Sequence, residues 1–120
     1  MNPADTPVLD TAMLRETLGP DPEDVAMMLP GFVEAASRQL GEFEEAAHSG
    51  DRDAARQAVH RLGSSLGFIG ACRLSDQARD LERELLDRPD PDLVARVQPL
   101  RDGWEALQQA LEELELPAGS

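Results

Sequence analysis

The stretch AVHRLGSSLGFIGA, residues 58–71, places a histidine just before two serines and three glycines in an otherwise helix-forming sequence. Two local readings are open. Either a helix ends near His60 and dissolves into a loop, or it continues and its small residues leave room for something to reach the imidazole. Ala55, Ala58, Val59, Leu62, Leu66 and Ile69 hold one apolar face in phase straight through Gly63, Ser64, Ser65 and Gly67. That period predicts a helix from a cap at Asp51 to about Phe68, with FIGA as the turn. Interior glycines cost about 1 kcal/mol each relative to alanine. Such a cost is easiest to explain where small side chains are required.

The flanking sequence repeats the helical pattern. Asp10 reads as the N-cap of a short leader helix, with Leu9 and Leu14 at hydrophobic-staple positions and Gly19-Pro20 as its stop. Asp21 then caps a long helix with Pro22 at its first position, and Val25, Met28, Leu29, Phe32, Val33, Ala36, Leu40, Phe43 and Ala47 follow the 3.6-residue period. Pro30 removes a ladder hydrogen bond inside that helix and predicts a kink or a brief break. Beyond the FIGA turn, Ala71, Leu74, Ala78, Leu81 and Leu85 make a seam at alternating steps of three and four. DRPDPD, residues 87–92, predicts a restart with Asp90 as cap and Pro91 at the first position. The last helix carries Val94, Val97, Leu100, Trp104, Leu107, Leu111 and Leu114, with Pro99 and Gly103 off the stripe and a bend expected at Pro99. No strand pattern is present. The expected fold is all-α: an antiparallel up-and-down four-helix bundle over residues 9–115 with a short extra N-terminal helix, and disordered ends at 1–8 and 116–120.

Composition excludes several functions. A chain of 120 residues makes one domain with a real core. Its formal net charge of -13, with no basic cluster and no aromatic platform, speaks against nucleic acid. No apolar run is long enough for a membrane span, and the N-terminus MNPADTP lacks the features of a signal peptide, so a cytoplasmic location is expected. The single cysteine, Cys72, has no partner and reads as a bystander thiol. His48 sits at a helix end, where the dipole favours a cation. It shares no metal-ligand spacing with His60, so no metal site is expected. HExxH, GxSxG and Cys/His arrangements are absent.

At 100° per residue His60 falls off the apolar stripe and shares an outward face with Asp53, Arg56, Gln57, Gly63, Ser64 and Gly67. Helical side chains lean toward the N-terminus, which lays the imidazole over Arg56 and Gln57 and leaves Gly63, Ser64 and Gly67 as a floor on its other side. A partner surface has room to close there. An apolar rim is expected from the second helix near Met27, Pro30 and Gly31.

The run His60, Leu62, Ser65, Gly70, Ala71, Leu74 and Leu81-Glu82 resembles, spacing for spacing, the histidine-containing phosphotransfer (HPt) domain of multistep two-component phosphorelays. The likeness of layout extends over residues 9–114. Two positions depart from the family pattern: Gly63 stands where a lysine is usual, and Ser64 where a glycine is usual. The lysine is associated with the transferring phosphoryl group or the docked partner, and Arg56 or Arg61 would have to supply that charge here. The Ser64 hydroxyl is expected to bond back to the His60 carbonyl.

What the resemblance implies is a carrier with His60 as phospho-acceptor and Arg56, Gln57, Arg61, Gly63, Ser64 and Gly67 in supporting or docking roles. Its partners would be response-regulator receiver domains and a hybrid sensor histidine kinase. It would need no cofactor of its own, the Mg2+ being held by the receiver, and would have no autonomous kinase activity. A neutral imidazole, with an ordinary pKa of about 6.5, is a competent nucleophile near neutral pH. The alternative is a noncatalytic helical adaptor that binds a receiver or another signalling protein without being phosphorylated. A monomer is expected, because one bundle saturates the apolar stripes.

Overall fold

The computed structural model describes residues 6–88, 92–114 and 116. Five α-helices follow one another: α1 (Thr11–Leu18), α2 (Pro22–Ser49), α3 (Arg52–Phe68), α4 (Cys72–Asp87) and α5 (Val97–Glu112), with a single 3₁₀ turn, Val94–Arg96, leading into α5. No strand occurs among the described residues. Each main helix packs on its sequence neighbour, and α5 also meets α2, so the four close into a bundle while α1 lies across one end against α2 and α3. The short connections make neighbouring helices antiparallel.

Capping explains where these helices begin. Asp10 accepts from the Ala12 and Met13 amides, Asp21 from Glu23, and Asp51 from Ala54, each meeting donors that the first turn leaves unpaired. Two helices stop in the same way. Beyond α2, Gly50 takes a φ of +75° while Asp51 N–H bonds the Ala46 carbonyl; beyond α3, Gly70 takes +76° while Ala71 N–H bonds the Leu66 carbonyl.

The core runs the length of the bundle. Phe43, Val59, Leu62, Leu66, Ile69, Leu85 and Leu107 are fully enclosed. Full burial of each such side chain contributes about 1.5–3 kcal/mol. Every apolar position expected on α3, and Leu74, Ala78, Leu81 and Leu85 on α4, is buried.

Several expectations are corrected. α2 runs as one helix through Pro30, so the brief break offered as one reading of that proline does not occur; Pro30 itself is exposed. The last helix starts later than expected, at Val97. Asp90 and Pro91, expected to cap and open it, lie outside the described residues. The Asp92 carboxylate accepts from the Ala95 amide at the 3₁₀ turn, which rotates Val94 into solvent at 52% exposure and buries Leu93 instead. Pro99 therefore stands in the first turn of α5, where a proline is best tolerated. Gly103 is a close-contact position: a methyl there would stand 2.7 Å from both Leu74 Cδ1 and Gln77 Oε1.

Of the two ends expected to be disordered, residues 1–5 and 117–120 lie outside the described residues. Pro7 and Thr6 offer their carbonyls to the backbone and the guanidinium of Arg73, and Val8 and Leu116 pack against the core. At the α4–α5 junction Arg96 and Arg88 converge on Glu84, and the hydrogen bond from Arg96, foremost, holds the Glu84 carboxyl below its ordinary pKa.

Candidate functional site

His60 sits in the middle of α3, a helix anchored on both sides by Ala58, Val59 and Leu62, whose side chains are at most 1% exposed. A rigid stretch of backbone thus carries a ring that is itself 61% exposed. The imidazole leans away from its own helix and reaches α4, where Nδ1 lies 2.8 Å from Glu82 Oε2. An ionised carboxylate only accepts, so Nδ1 donates to Glu82 and the proton of the neutral ring is placed there. Nε2 keeps its lone pair and has no partner among the described residues. Glu82 is only 20% exposed, which limits its freedom and makes it a fixed post for the ring.

Beyond His60, toward the C-terminus of α3, the surface is low. Gly63 is buried against α4; its carbonyl accepts from the Ser75 hydroxyl at 3.0 Å, and a methyl on it would touch Arg79 Cγ and Ala78 Cβ at 3.5 and 3.7 Å. Ser64, Gly67, Phe68, Cys72, Ser75, Asp76 and Arg79 line a groove of about 580 Å³ whose far wall is Met13 and Thr17 of α1. Phe68 is 57% exposed and tilts against Phe32 of α2 at 6.1 Å between ring centres. Met27 is 73% and Met28 46% exposed on the same helix as Phe32. The molecule thus sets one exposed histidine on a rigid helix, beside a small-residue floor and an apolar rim.

A family model for the Hpt domain matches residues 27–116. This chain belongs to the Hpt domain family. Comparison with curated proteins and with solved structures gave no match. Membership in the Hpt family implies histidine phosphotransfer in a phosphorelay and partners of the two-component relay type.

Within this Hpt domain the supporting residues are arranged differently from the sequence expectation. The ring bonds Glu82 of α4 and makes no hydrogen bond to Arg56 or Gln57. Those two turn back to Asp53, at 3.1 and 3.3 Å, because an acid one turn earlier satisfies both, whereas Glu82 draws the imidazole the other way. Arg61 points to the opposite flank and lies 3.6 Å from Glu42 of α2. Neither Arg56 nor Arg61 is a free cation beside His60. Gly63 faces the α3–α4 interface, so it leaves the outward face assigned to it, while Ser64 and Gly67 stay on the groove. The bond expected from the Ser64 hydroxyl to the His60 carbonyl is absent; Ser65 instead donates to Gln39 Oε1 at 2.8 Å.

Glu82 bonds His60 and Arg79 lies over Gly63, one turn further along α3, and the periodicity of α3 alone points to neither. The Leu81-Glu82 pair was visible as a motif, but only packing turns Glu82 toward the histidine. Met27, Pro30 and Gly31 are exposed, as expected for a rim. His48 is exposed in the last turn of α2, and no group of three metal-ligating side chains occurs among the described residues. No described helix is long and apolar enough to cross a membrane. Cys72 lines the groove, but burial, followed by the nearby Asp10 and Asp76 carboxylates, pushes its pKa up, so it stays a thiol at neutral pH.

Proposed function

We propose that His60 accepts a phosphoryl group from the aspartyl phosphate of a response-regulator receiver domain and passes it to a second receiver, with a hybrid sensor histidine kinase as the source. The observation that carries this reading is the Nδ1–Glu82 hydrogen bond on a side chain 61% exposed, which presents Nε2 outward with its lone pair free. Nε2 attacks phosphorus in line. The N–P bond forms as the P–O bond to the aspartyl carboxylate breaks, and that bond's electron pair leaves on the carboxylate. The ring gains positive charge in this step while Nδ1 keeps its proton against Glu82, whose carboxylate offsets that charge. The receiver brings the Mg2+ that neutralises the transferring oxygens. Return of the phosphoryl group to a second receiver is the same exchange in reverse.

The test is transfer of labelled phosphate from a panel of phosphorylated receivers. Label that is stable to alkali and lost in acid, as an N–P bond requires, supports the reading. A receiver that binds but leaves no label replaces it with the adaptor. Glu82 gives a second check. Glu82→Ala is expected to slow labelling about tenfold by releasing the ring, within the range typical of groups that orient a functional histidine. Glu82→Gln keeps an acceptor for Nδ1–H and should retain most of the rate. Equal rates for all three proteins would remove Glu82 from the mechanism.

A further inference from the structure

From the geometry of the groove we infer that Arg79, on α4, is the cation that meets the phosphoryl group beside His60; this rests on the phospho-acceptor reading above. The chain has no lysine, and all 11 of its Lys+Arg residues are arginines. Most of them are committed. Arg38, Arg56, Arg61, Arg83, Arg88, Arg96 and Arg101 pair with carboxylates, and Arg52 and Arg73 donate to backbone carbonyls. Arg79 has no such partner among the described residues, although Asp76 lines the same groove.

Its position follows from the glycines of α3. The stem of Arg79 lies over Gly63, one turn beyond His60, with Cγ 3.5 Å from where a methyl would be, and Nη2 lies 3.2 Å from the corresponding point on Gly67. A side chain at Gly67 would press on the guanidinium. The small residues that seemed to leave a hollow are the bed on which this arginine lies.

A chain of net charge -13 repels a doubly charged phosphoryl group, and the carboxylate of Glu82 stands on the other side of the ring. A free guanidinium on the approach offsets that repulsion. Its planar fork suits two phosphoryl oxygens. Rotation about the torsions of an exposed side chain is fast, so the head swings from Gly67 toward Nε2 as the group arrives. Arg79 takes no covalent part: no bond to it forms or breaks, and its proton count is unchanged.

The experiment compares labelling by phosphoramidate, a small donor that needs no partner, with labelling by phosphorylated receivers. It uses the full chain and its Arg79→Gln, Arg79→Lys and Arg79→Gln/Gly63→Lys variants. Loss of one charge-assisted contact predicts a fall of about 10- to 100-fold in the rate for Arg79→Gln. Partial recovery is expected with Arg79→Lys and with lysine at Gly63, where a Cβ meets Cγ of residue 79, Ala78 Cβ and the Ser75 carbonyl at the ordinary contact distances of 3.5, 3.7 and 3.9 Å. If the unaltered protein is labelled and Arg79→Gln is labelled as fast, the assignment of Arg79 fails while the phospho-acceptor reading stands. If neither donor labels the unaltered protein, both fail.

Discussion

Replacement of His60 by glutamine is expected to abolish phosphate uptake from every receiver while leaving the fold and receiver binding in place. The imidazole is 61% exposed, and its loss removes little buried surface, so the stability change should stay within about 0.5 kcal/mol. Glutamine retains an N–H that reaches toward Glu82, but its amide nitrogen has no lone pair free to attack phosphorus. The docking surface is carried by other residues: the groove of Ser64, Gly67 and Phe68, and the exposed methionines of α2. The measurement is labelled-phosphate transfer run beside a binding isotherm for the same receiver. Label persisting on the His60→Gln protein, or label that survives acid, would move the acceptor to another residue and sink the reading.

The largest effect on stability is expected at Gly70. Its φ is +76°, and a Cβ there would stand 2.5 Å from the Asp10 carbonyl oxygen and 3.3 Å from both the Leu14 amide nitrogen and Met13 Cβ. The obstruction is mostly backbone, so no side-chain rotation relieves it. Asp10 N–H donates to the Gly70 carbonyl at 2.7 Å, so this glycine is also where α1 is fastened to the α3–α4 turn. A left-handed L-residue costs roughly 1–2 kcal/mol, and overpacking adds roughly 1–3 kcal/mol. Gly70→Ala should therefore destabilise by about 3 kcal/mol, read as a lower urea midpoint at unchanged slope. Gly41→Ala is the contrast. Gly41 lies inside α2 with nothing within 4 Å of a built Cβ, and alanine there should stabilise by about 1 kcal/mol. Equal effects at the two positions would refute the packing account of Gly70.

These two residues illustrate how differently parts of the molecule could be read in advance. His60 and Gly70 were legible because their neighbours set a phase: the apolar stripe of α3 runs past the first and stops at the turn that holds the second. Caps at Asp10, Asp21 and Asp51 were legible because a short polar side chain before an apolar period has one local use. The start of α5 was not. Asp90, Pro91 and Asp92 offer competing local starts, and the choice depends on whether Leu93 or Val94 is covered by the bundle. At Pro30 the brief break was one of two readings, and the helix runs through it. Its cost is set by whether the stranded carbonyl meets water, which its spacing on α2 does not state.

Local chemistry and periodicity were enough for the helices, their order, most of the buried face of each and the exposure of one histidine, because those depend on contacts within a few residues; Met28 and Val94, both placed on the stripes, stand in solvent. The partners of that histidine depend on which helix lies across from α3 and at what height. Glu82 is 22 positions away from His60, and their meeting is a consequence of how α3 and α4 stack. Arg56 and Arg61 stood closer along the chain, yet Asp53 and Glu42 hold them elsewhere. Charges act across space with no memory of sequence distance. The pairing of Glu82 with the ring and the freedom of Arg79 therefore arose only when the bundle closed.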